Sequence, residues 1–363
     1  MIKEKIKIII ATGGTGGHVF PAFSLAKYFT EKNILTEIVI DKRGFKYIEK
    51  YSFPNVNIIN SSTIFKKNPI LLIWSLIKII LAFIKSFLFL IKSKPQVVFG
   101  MGGYSSFPIC IASKILNIPF VIYESNLYLG KTNKFLLPYA HKLLVSCADL
   151  TGVPKKNEEK KVEVGNIVRN EILNFNIKKK NIFKNKISIL ILGGSQAAKS
   201  FAEKLPPIFK KCKDEKIKLE LYQQCLKNQS ETLNNFYEKA GINFELFNFS
   251  HNIIEYFNKV DFVITRSGAS ISAELLNCNI PFVSIPFPYA ADNHQLKNAK
   301  YFEKKGYSFL IEEKEIDYKL FSLIKSIYKD NELLGKIKAK QKLHSDKLVY
   351  KKIENEIKKF IND

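Results

Sequence analysis

The chain has 363 residues, of which 46% are hydrophobic and 25% charged, so wholesale disorder is excluded and the length suits two domains of about 150–180 residues. The formal net charge of +24 favours polyanionic partners: anionic lipid headgroups, phosphorylated substrates or nucleic acid. A coding bias toward lysine explains the same charge equally well, so composition alone does not choose among these partners.

The predicted elements alternate between buried strands and helices along the chain. Strand-like apolar runs occur at 6–11, 38–40, 97–99, 120–123 and 143–146, and after a polar segment at 187–192, 218–222, 262–265 and 282–285. An amphipathic helix is predicted at 20–32, and the lysine-rich tail from about Leu333 is helical in period. Alternating βα units imply parallel sheets with helices on both faces. The sequence therefore predicts two α/β domains, joined near residues 162–168.

Glycine clusters follow three of the predicted strands. Nine of the 17 glycines lie at 13–17, 100–103 and 193–194, each time between a buried strand and a helix-like segment. Glycine at such a place lets backbone N–H groups approach a ligand, and the helix N-terminus that follows favours an anion. One tight turn would need a glycine for geometry alone, but three dense clusters predict phosphate binding. The spacing matches neither the Walker pattern nor GxGxxG.

Residues 69–91 are the most apolar segment and contain the only tryptophan, Trp74. Their length would span a bilayer, but Lys78 and Lys85 lie inside the segment, and each costs about 2.5–3.5 kcal/mol near a bilayer centre. A helix that lies in the headgroup region of an anionic membrane is therefore favoured. A buried core helix and a true transmembrane span are the alternatives.

This segment is expected to form a helix with one narrow polar stripe and a broad apolar face. Lysines recur every seven residues, and serines are expected near the same helical line: Lys78, Lys85 and Lys92 with Ser75, Ser86 and Ser93. Lysines at both ends, among them Lys66 and Lys67, favour contact with an anionic leaflet. The side chains expected to contact lipid are Ile73, Trp74, Ile77, Ile80, Leu81, Ile84, Phe87 and Leu88.

Arginine and cysteine usage narrow the class of protein. Only Arg43, Arg169 and Arg266 are arginines, a shortage that argues against dedicated nucleic-acid recognition, in which the bidentate guanidinium is favoured. The five cysteines form no CxxC pair, which fits a reducing compartment and argues against a disulfide framework or a zinc ribbon. The amino terminus lacks a cleavable small-residue site, so no export signal is predicted.

Seven segments occur in a recognisable order and spacing. They are ATGGTGGHVFPAFSLA at 11–26, FGMGGYSSFP at 99–108, YESNLYLGKTNK at 123–134, VGNIVR at 164–169, LGGSQAAKS at 192–200, TRSGASISAE at 265–274 and PFPYAADNHQLKNA at 286–299. Together they resemble the MurG family, N-acetylglucosaminyltransferases that act on undecaprenyl-linked muramyl-pentapeptide in peptidoglycan synthesis. The resemblance spans nearly the whole chain, and the ordered set is far more specific than any single motif.

The resemblance implies the GT-B architecture, an α/β fold in which two Rossmann-like domains with parallel sheets face each other across a cleft. It implies an acceptor- and membrane-facing domain at 1–165, a UDP-GlcNAc-binding domain at 166–344, and a C-terminal helix at about 345–363 that packs back on the first domain. It also implies an inverting displacement: the MurNAc 4-hydroxyl of the acceptor attacks the anomeric carbon of GlcNAc and UDP departs, converting lipid I to lipid II. Such a reaction needs a base near the hydroxyl and stabilisation of the leaving diphosphate.

In the first domain the resemblance implies one catalytic candidate and two binding groups. His18 is the candidate general base, because imidazole has a pKa suited to neutral pH; a capping or positioning histidine at a helix start is the alternative. Thr15, Gly16 and Gly17 match a loop that contacts the donor sugar. Asn126 matches an asparagine that holds a GlcNAc hydroxyl, although a turn asparagine fits the same position. The acceptor diphosphate is expected at Gly13, Gly14, Gly102, Gly103, Tyr104 and Ser105.

The donor residues implied by the resemblance lie mostly in the second domain. Arg169 and Ser195 match residues that bind the diphosphate, and Glu274 is the ribose candidate because a carboxylate accepts two vicinal hydroxyls. Ser250 matches a residue whose backbone contacts uracil. Gln295, in a polar run with Asp292, Asn293 and His294, is expected to bind hexose hydroxyls. The helix start that lines the donor pocket comprises Ala269, Ser270, Ile271, Ser272 and Ala273, and Arg266 is expected to orient its own loop.

The chain departs from the family pattern at several positions. Tyr123 and Ser125 replace a histidine and a glutamine, Ala197 replaces a glycine, and Ile167 replaces a proline. Phe107 stands where a small residue is usual. These changes bear on pocket geometry rather than on the class of reaction. No DxD motif occurs, so neither a catalytic metal nor another cofactor is expected.

The expected partners are UDP-GlcNAc, the undecaprenyl-linked muramyl-pentapeptide, anionic membrane lipids and cell-wall synthesis proteins that act in cell division and cell shape. The expected location is the cytoplasmic face of the cell membrane, as a peripheral protein. One alternative is another GT-B enzyme that uses a UDP-sugar, such as a glycolipid synthase or a UDP-GlcNAc 2-epimerase. The other is a non-catalytic protein that binds anionic membranes or nucleic acid through its basic surface.

Overall fold

A computed structural model describes residues 6–51, 53–63, 68–175, 186–250, 252–330 and 332–361, without the side chains of 195–198. The chain forms two compact units, Met1–Asn170 with Asp346–Asp363, and Glu171–Ser345. The chain thus passes between the units twice, and its C-terminal segment belongs to the first unit.

The first unit contains a sheet of seven parallel strands in the order β3-β2-β1-β4-β5-β6-β7. The strands are β1 (Lys7–Ala11), β2 (Leu35–Ile40), β3 (Val56–Ile58), β4 (Val97–Gly100), β5 (Phe120–Glu124), β6 (Lys142–Val145) and β7 (Lys161–Glu163). The α-helices within this unit are α1 (Gly16–Glu31), α2 (Lys42–Phe45), α3 (Pro69–Ser93), α4 (Phe107–Ile115), α5 (Lys131–Leu136) and, at the C-terminus, α14 (Val349–Lys358). Residues such as Ile9 and Val98 are fully buried, as expected for a parallel sheet covered on both faces.

The second unit contains a sheet of six parallel strands in the order β10-β9-β8-β11-β12-β13. The strands are β8 (Ile187–Leu192), β9 (Leu219–Gln224), β10 (Asn243–Phe247), β11 (Phe262–Thr265), β12 (Phe282–Ser284) and β13 (Phe309–Leu310). The helices are α6 (Asn170–Leu173), which begins at the boundary, α7 (Gly194–Asp214), α8 (Ser230–Ala240), α9 (Ile253–Phe257), α10 (Ala269–Asn277), α11 (His294–Lys304), α12 (Ile316–Lys329) and α13 (Glu332–Gln341). Both units are doubly wound, since strand order reverses direction at β1/β4 and at β8/β11.

All nine strands predicted from apolar runs are present, with ends shifted by up to three residues. The predicted helix at 20–32 begins earlier, at Gly16. Strands β3, β7, β10 and β13, which the sequence pattern did not indicate, are the four edges of the two sheets. Their residues are half-buried or exposed, so they lack the continuous apolar runs of the central strands.

The C-terminal segment packs on the first unit through specific polar contacts. Asp346, which is buried, accepts hydrogen bonds from the backbone N–H of Asn166 at 2.8 Å and from its side chain at 3.2 Å. The Tyr350 hydroxyl donates to the carbonyl oxygen of Val168 at 2.5 Å. Tyr28 of α1 stacks on Tyr350 with ring centres 5.0 Å apart. These contacts hold residues 166–168, where the chain leaves the first unit, against residues 346–350, where it returns to that unit.

Helix α3 has well-formed ends and an exposed apolar face. The Asn68 side chain caps it by accepting from the Ile70 N–H at 2.9 Å, and Pro69 occupies the first helical position. Of the described helices, α3 is the one long and apolar enough to cross a membrane, by length and composition only, and 17% of its most apolar window is buried. This exposure argues against the buried core helix that the sequence left open.

The arrangement of polar residues on α3 differs from the predicted single stripe. Ser75 and Ser86 are buried, whereas Lys78 and Lys85 are exposed, so the serines belong to the packed stripe of the helix and the lysines to its exposed surface. The serines are buried because a small side chain permits close packing and because Ser86 Oγ donates to the Ala82 carbonyl at 2.8 Å. The expected flanking residues Lys66 and Lys67 lie outside the described residues.

Seven of the eight side chains expected to contact lipid are exposed: Ile73, Trp74, Ile77, Ile80, Leu81, Ile84 and Leu88. The eighth, Phe87, packs partly against the core of the first unit and lies 6.0 Å from the Phe83 ring. The buried stripe of α3 runs from Ser75 to Leu90, so the helix contacts its own unit along most of its length. The exposed residues form one broad apolar face.

Candidate active site

The glycine-rich loops lie at the two positions where strand order reverses. In the first unit β1 and β4 are neighbours, and the loops that follow them contain Gly13, Gly14, Gly102 and Gly103. In the second unit β8 and β11 are neighbours, and they are followed by residues 193–194 and 266–268. Ligands of doubly wound sheets bind outside the carboxyl ends of the strands at these positions. Each unit therefore has one candidate binding edge, formed by the predicted loops.

Gly100, the first glycine of the second cluster, has a packing role instead of a position in the loop. It is the last residue of β4, and a Cβ there would lie 2.8 Å from Cys110 Sγ. Gly102 and Gly103 follow with φ of +82° and +74°, a backbone conformation that glycine adopts without steric cost. The turn that exposes backbone groups thus begins after the strand.

A buried carboxylate joins the two loops of the first unit. Asp41 follows β2, is 4% exposed, and was not indicated by the sequence motifs. Its Oδ1 accepts from the N–H of Gly14 at 2.9 Å, and its Oδ2 accepts from the hydroxyls of Tyr104 at 2.7 Å and Ser105 at 3.1 Å. The pKa of Tyr104 is raised because burial and the neighbouring carboxylate both disfavour the phenolate. The Gly14 N–H is consequently directed to Asp41 in this structure.

His18 lies in the first turn of α1 and connects the same two loops. Its Nδ1 is 2.9 Å from the carbonyl oxygen of Met101. A carbonyl only accepts hydrogen bonds, so this contact assigns the proton to Nδ1 and leaves the lone pair of a neutral ring on Nε2. A Cβ on Gly103 would lie 3.9 Å from Nε2, so this nitrogen is next to the second glycine loop. The geometry suits an imidazole that accepts a proton at Nε2.

Asn126 is oriented by a second buried carboxylate, Glu124, at the end of β5. Glu124 Oε1 accepts from the Asn126 N–H at 3.1 Å and from its Nδ2 at 2.9 Å. Glu124 Oε2 accepts from the Gly130 N–H at 3.0 Å and from Asn133 Nδ2 at 2.9 Å. These contacts fix which end of the Asn126 amide donates and hold the turn that carries it. Asp41 directly follows a strand and Glu124 ends one, and Glu124 also lies within the quoted segment at 123–134.

Tyr123, which replaces the family's histidine, has a structural role in the first unit. Its hydroxyl donates to the Gly165 carbonyl at 3.1 Å and accepts from the Ile167 N–H at 3.1 Å. Burial raises its pKa, so the hydroxyl stays neutral. This contact also accounts for Ile167 in place of the usual proline, because a proline has no N–H to donate.

Arg169 and the start of α1 lie in the same unit. The Arg169 guanidinium is 5.8 Å from the centre of the Phe20 ring on α1, within cation–π range. Thr15 and Gly17 are exposed and Gly16 is half-buried, at the N-terminus of this 16-residue helix. The helix dipole favours an anion at this end.

The loop after β8 begins helix α7. Gly194 is the first residue of the helix and has a φ of +64°, and a Cβ there would meet open space. Its N–H donates to Gln224 Oε1 at 3.2 Å, and Gln224 Nε2 donates to the Asn248 carbonyl at 3.2 Å. Gln224, at the end of β9, is a further candidate residue that the sequence motifs did not indicate. Ser195 lies in the first turn of α7, but its side chain is outside the described part.

Arg266 is buried beneath the loops of the second unit. Its guanidinium forms an ion pair with Glu313 and donates to the carbonyls of Ile285 at 3.3 Å and Pro286 at 3.2 Å. It also lies 4.5 Å from the centre of the Phe201 ring on α7. Burial lowers the pKa of Arg266, and Glu313 opposes that shift. These contacts agree with the expected role of orienting the loop.

Helix α10 starts at Ala269, directly after β11 and its short loop. The half-buried residues Ser270 and Ile271 follow, while Ser272, Ala273 and Glu274 are buried, the last at 9% exposure. The hydroxyls of Ser267 and Ser272 are buried and have no hydrogen-bond partner among the described residues. A helix N-terminus with two unsatisfied buried hydroxyls nearby is a favourable environment for an anionic or polyhydroxyl ligand.

The polar run at 292–295 forms a constrained turn before α11. Asp292 and Asn293 both have positive φ, 52° and 53°, which is unusual for consecutive non-glycine residues and marks local backbone strain. Gln295 Oε1 accepts from the Phe287 N–H at 2.9 Å, which ties the two ends of this loop together. Ser250 lies elsewhere in the unit, and its Oγ accepts from the Asn252 N–H at 3.1 Å.

Comparison with known protein families finds a matching family model for each unit. The family model of the glycosyltransferase family 28 N-terminal domain matches residues 8–145, and that of the family 28 C-terminal domain matches residues 188–353. A curated relative from Pelagibacter ubique (strain HTCC1062) is 37% identical over 335 residues, 92% of each chain. It is named UDP-N-acetylglucosamine–N-acetylmuramyl-(pentapeptide) pyrophosphoryl-undecaprenol N-acetylglucosamine transferase. The chain belongs to the MurG branch of glycosyltransferase family 28. The predicted family is confirmed.

Further relatives support the same family assignment. A protein of the same name from Rickettsia canadensis (strain McKiel) is 35% identical over 85% of this chain and 87% of the relative. Among solved structures, Acinetobacter baumannii MurG superimposes with a TM-score of 0.76 at 23% identity, covering 98% of this chain and 99% of that chain. S. aureus MnaA with UDP superimposes with a TM-score of 0.71 at 17% identity. At such identities the structures show the fold alone, and the predicted GT-B class is confirmed.

Within the described residues of this family 28 enzyme, no group of three or more His, Cys, Asp or Glu side chains could hold a metal ion. The candidate residues instead offer hydroxyls, amides, backbone N–H groups and isolated charges. This is the chemistry that binds phosphate and sugar hydroxyls directly.

Proposed function

We propose that this protein transfers GlcNAc from UDP-GlcNAc to the 4-hydroxyl of the MurNAc of undecaprenyl-diphospho-MurNAc-pentapeptide. The observation that carries the proposal is the 37% identity to a relative of that name over 92% of both chains, with the predicted loops at both binding edges. As a UDP-GlcNAc-dependent glycosyltransferase it acts in peptidoglycan synthesis, converting lipid I to lipid II.

The second unit is proposed to hold the donor. The N-terminus of α10 and the loop at 193–194 lie at the ends of β11 and β8, which are paired strands. In this proposal the diphosphate binds these backbone donors and Ser195, and Ser267 and Ser272 supply hydroxyls nearby. Glu274 accepts the two ribose hydroxyls, the Ser250 backbone contacts uracil, and Gln295 contacts the hexose.

The first unit is proposed to bind the acceptor and supply the base. His18 Nε2 takes the proton of the acceptor hydroxyl as that oxygen bonds to the anomeric carbon, and the bond to UDP breaks. Two positive groups support the charge changes: the N-terminus of α1 beside the acceptor diphosphate, and Arg169 for the phosphates of the leaving UDP. Asn126, held by Glu124, presents its amide to a GlcNAc hydroxyl.

The exposed face of α3 is proposed to rest on the anionic cytoplasmic face of the membrane that carries the acceptor. Large apolar side chains such as Trp74, Ile80 and Leu88 are 57–62% exposed, and the exposed Lys78 and Lys85 lie near them. Exposed apolar surface of this kind is costly in water and gains free energy at a lipid interface. The lysines can reach lipid phosphates while their stems stay among apolar groups.

Activity is tested with purified protein, UDP-GlcNAc and a short-chain lipid-diphosphate acceptor, with UDP release and the product mass as readouts. The expected result is one UDP released and one GlcNAc added per acceptor. Release of UDP-ManNAc without an acceptor would instead indicate an epimerase. Absence of any turnover or UDP affinity would contradict the proposal.

Membrane contact is tested by flotation with vesicles that contain anionic phospholipid. The triple variant Ile80→Ser, Leu81→Ser, Ile84→Ser is expected to lose binding, because it removes the centre of the apolar face. A matched control is Tyr318→Ser with Leu343→Ser, which alters exposed apolar side chains of the second unit and should bind as wild type. Equal binding of the α3 variant would contradict the interface, and binding to neutral vesicles alone would contradict the anionic preference.

A further inference from the structure

Asp41 is a buried acid of the first unit that accepts four hydrogen bonds, although it belongs to none of the family motifs. Besides Gly14, Tyr104 and Ser105, its Oδ1 accepts from the N–H of Gly44 at 2.7 Å. Four donors from three separate segments therefore converge on one carboxylate: the loop after β1, helix α2, and the loop after β4. A charged acceptor makes each of these bonds stronger than a neutral one would.

The backbone around Asp41 is built to allow this convergence. A Cβ on Gly13 would lie 2.4 Å from Ser105 Oγ and 2.7 Å from Asp41 Oδ1. A Cβ on Gly44 would lie 2.9 Å from Asp41 Oδ1 and 2.9 Å from Gly13 Cα. Neither space is available to a larger residue, so glycine at both positions serves the close approach of the loops to the carboxylate.

Asp41 and His18 bridge the same two loops at different points. His18 links the start of α1 to the Met101 carbonyl, and Asp41 links Gly14 to Tyr104 and Ser105. The Tyr104 ring also lies against the first loop, since a Cβ on Gly14 would be 3.8 Å from its Cε1. His18 and Asp41 thus hold the same two loops together through separate contacts.

We infer that Asp41 is a positioning residue for the acceptor side of the reaction. Its carboxylate sets the separation of the two glycine loops and holds Tyr104, so that the loops present one fixed surface to the acceptor diphosphate and its hydroxyl. The inference rests on the proposed role of the first unit in acceptor binding. Asp41 itself does not touch substrate, because its oxygens are buried and already accept four hydrogen bonds.

The test compares Asp41→Ala with Asp41→Asn in steady-state kinetics. Asp41→Ala is expected to lower kcat/KM for the lipid acceptor about 100-fold, with the KM for UDP-GlcNAc changed less than about twofold. Asp41→Asn keeps an oxygen for the N–H groups of Gly14 and Gly44, and its amide can donate to the two hydroxyls. Its kcat/KM for the lipid acceptor is therefore expected to be about tenfold higher than that of Asp41→Ala. An equally large effect on the KM for UDP-GlcNAc and on the KM for the acceptor would overturn the inference.

The matched control is Glu37→Ala on β2, the strand that Asp41 follows. Glu37 accepts from Asn57 Nδ2 at 3.2 Å and Ser93 Oγ at 2.9 Å and pairs with Lys7, yet it contacts neither glycine loop. It is expected to leave both KM values unchanged. A loss of acceptor kcat/KM as large as that of Asp41→Ala would reduce the Asp41 effect to general destabilisation and overturn the inference.

Two measurements keep the inference testable if a variant folds poorly or the wild type does not turn over. Gly44→Ala retains the carboxylate but displaces it, and it is expected to raise the acceptor KM selectively. Amide hydrogen exchange needs no substrate: residues 13–16 and 102–106 should exchange faster in Asp41→Asn than in wild type. Unchanged exchange would overturn the inference, whereas an inactive wild type with the expected exchange change would contradict only the proposed function.

Discussion

The two units have the same doubly wound sheet but stabilise their binding edges with opposite charges. In the first unit the buried carboxylates of Asp41 and Glu124 hold the loops. In the second unit the buried guanidinium of Arg266 lies beneath the loops, donates to two carbonyls and pairs with Glu313. A carboxylate gathers N–H and O–H donors, whereas a guanidinium gathers carbonyl acceptors.

This difference bears on which ligand each edge suits. Asp41 already occupies the Gly14 N–H, so the first unit commits part of its loop backbone to its own structure. Arg266 occupies carbonyls and pairs with Glu313, so it does not itself take up N–H groups, while the Gly194 N–H of the same edge donates to Gln224 Oε1. The proposal that the second edge binds the nucleotide diphosphate rests instead on the N-terminus of α10 and the buried hydroxyls of Ser267 and Ser272.

The largest effect is expected from removal of the buried Arg266 guanidinium in the second unit. Arg266→Leu leaves Glu313 and two carbonyls without a donor in a buried site, so we expect the free energy of unfolding to fall by about 3–5 kcal/mol. Urea denaturation measures this loss. Lys210→Ala, which removes an exposed pair with Asp214 on α7, should cost only about 0.3–0.5 kcal/mol, and an equal cost would contradict the importance of burial.

The next effect concerns catalysis by the first unit. His18→Ala removes the proposed base and is expected to lower kcat by about 100-fold or more, with a small change in donor KM. Single-turnover kinetics with saturating acceptor measure the chemical step. A kcat near that of wild type would assign the proton transfer to another group and leave His18 a positioning role.

A smaller effect tests the donor assignment of the second unit. Glu274→Ala removes a carboxylate that is proposed to accept two ribose hydroxyls, so the KM for UDP-GlcNAc should rise at least about tenfold while the acceptor KM stays constant. The same variant should lose less affinity for a 2′,3′-dideoxy-UDP analogue, which has no vicinal hydroxyls. An unchanged donor KM would contradict the ribose role.

The smallest effect concerns the C-terminal helix on the first unit. The Tyr28 hydroxyl donates to Glu354 at 2.7 Å, and Tyr28→Phe should cost about 1 kcal/mol at pH 7. Burial, aided by Glu354, raises the pKa of Tyr28 to about 12. A raised folded-state pKa means that this stabilisation is complete below the unfolded pKa and is lost as pH rises through about 12.

Urea denaturation at pH 7 and pH 11 of wild type and Tyr28→Phe measures this dependence. The difference between the two proteins should be smaller at pH 11. A difference that grows with pH would contradict the proposed contact as its source.

The central part of each sheet could be predicted from the sequence, but its edges could not. Strands such as β1 and β8 are buried on both faces and therefore consist of continuous apolar residues. Edge strands such as β10 are half-exposed, and polar residues interrupt their apolar residues, so they lack a continuous apolar run. On α3, hydrophobicity correctly indicated an apolar helix, but the buried positions of Ser75 and Ser86 depend on packing against the first unit.

The residue order by itself determined the family, the parallel α/β class and the loops that carry the candidate site, because glycine clusters and motif spacing are local properties of the chain. Only the tertiary structure brought Asp41 and Gln224 to those loops, and only it distinguished Gly100 as a packing residue. Their partners are many residues away or depend on which loops become neighbours. Strand order, which is set by packing of the whole sheet, decides those neighbours.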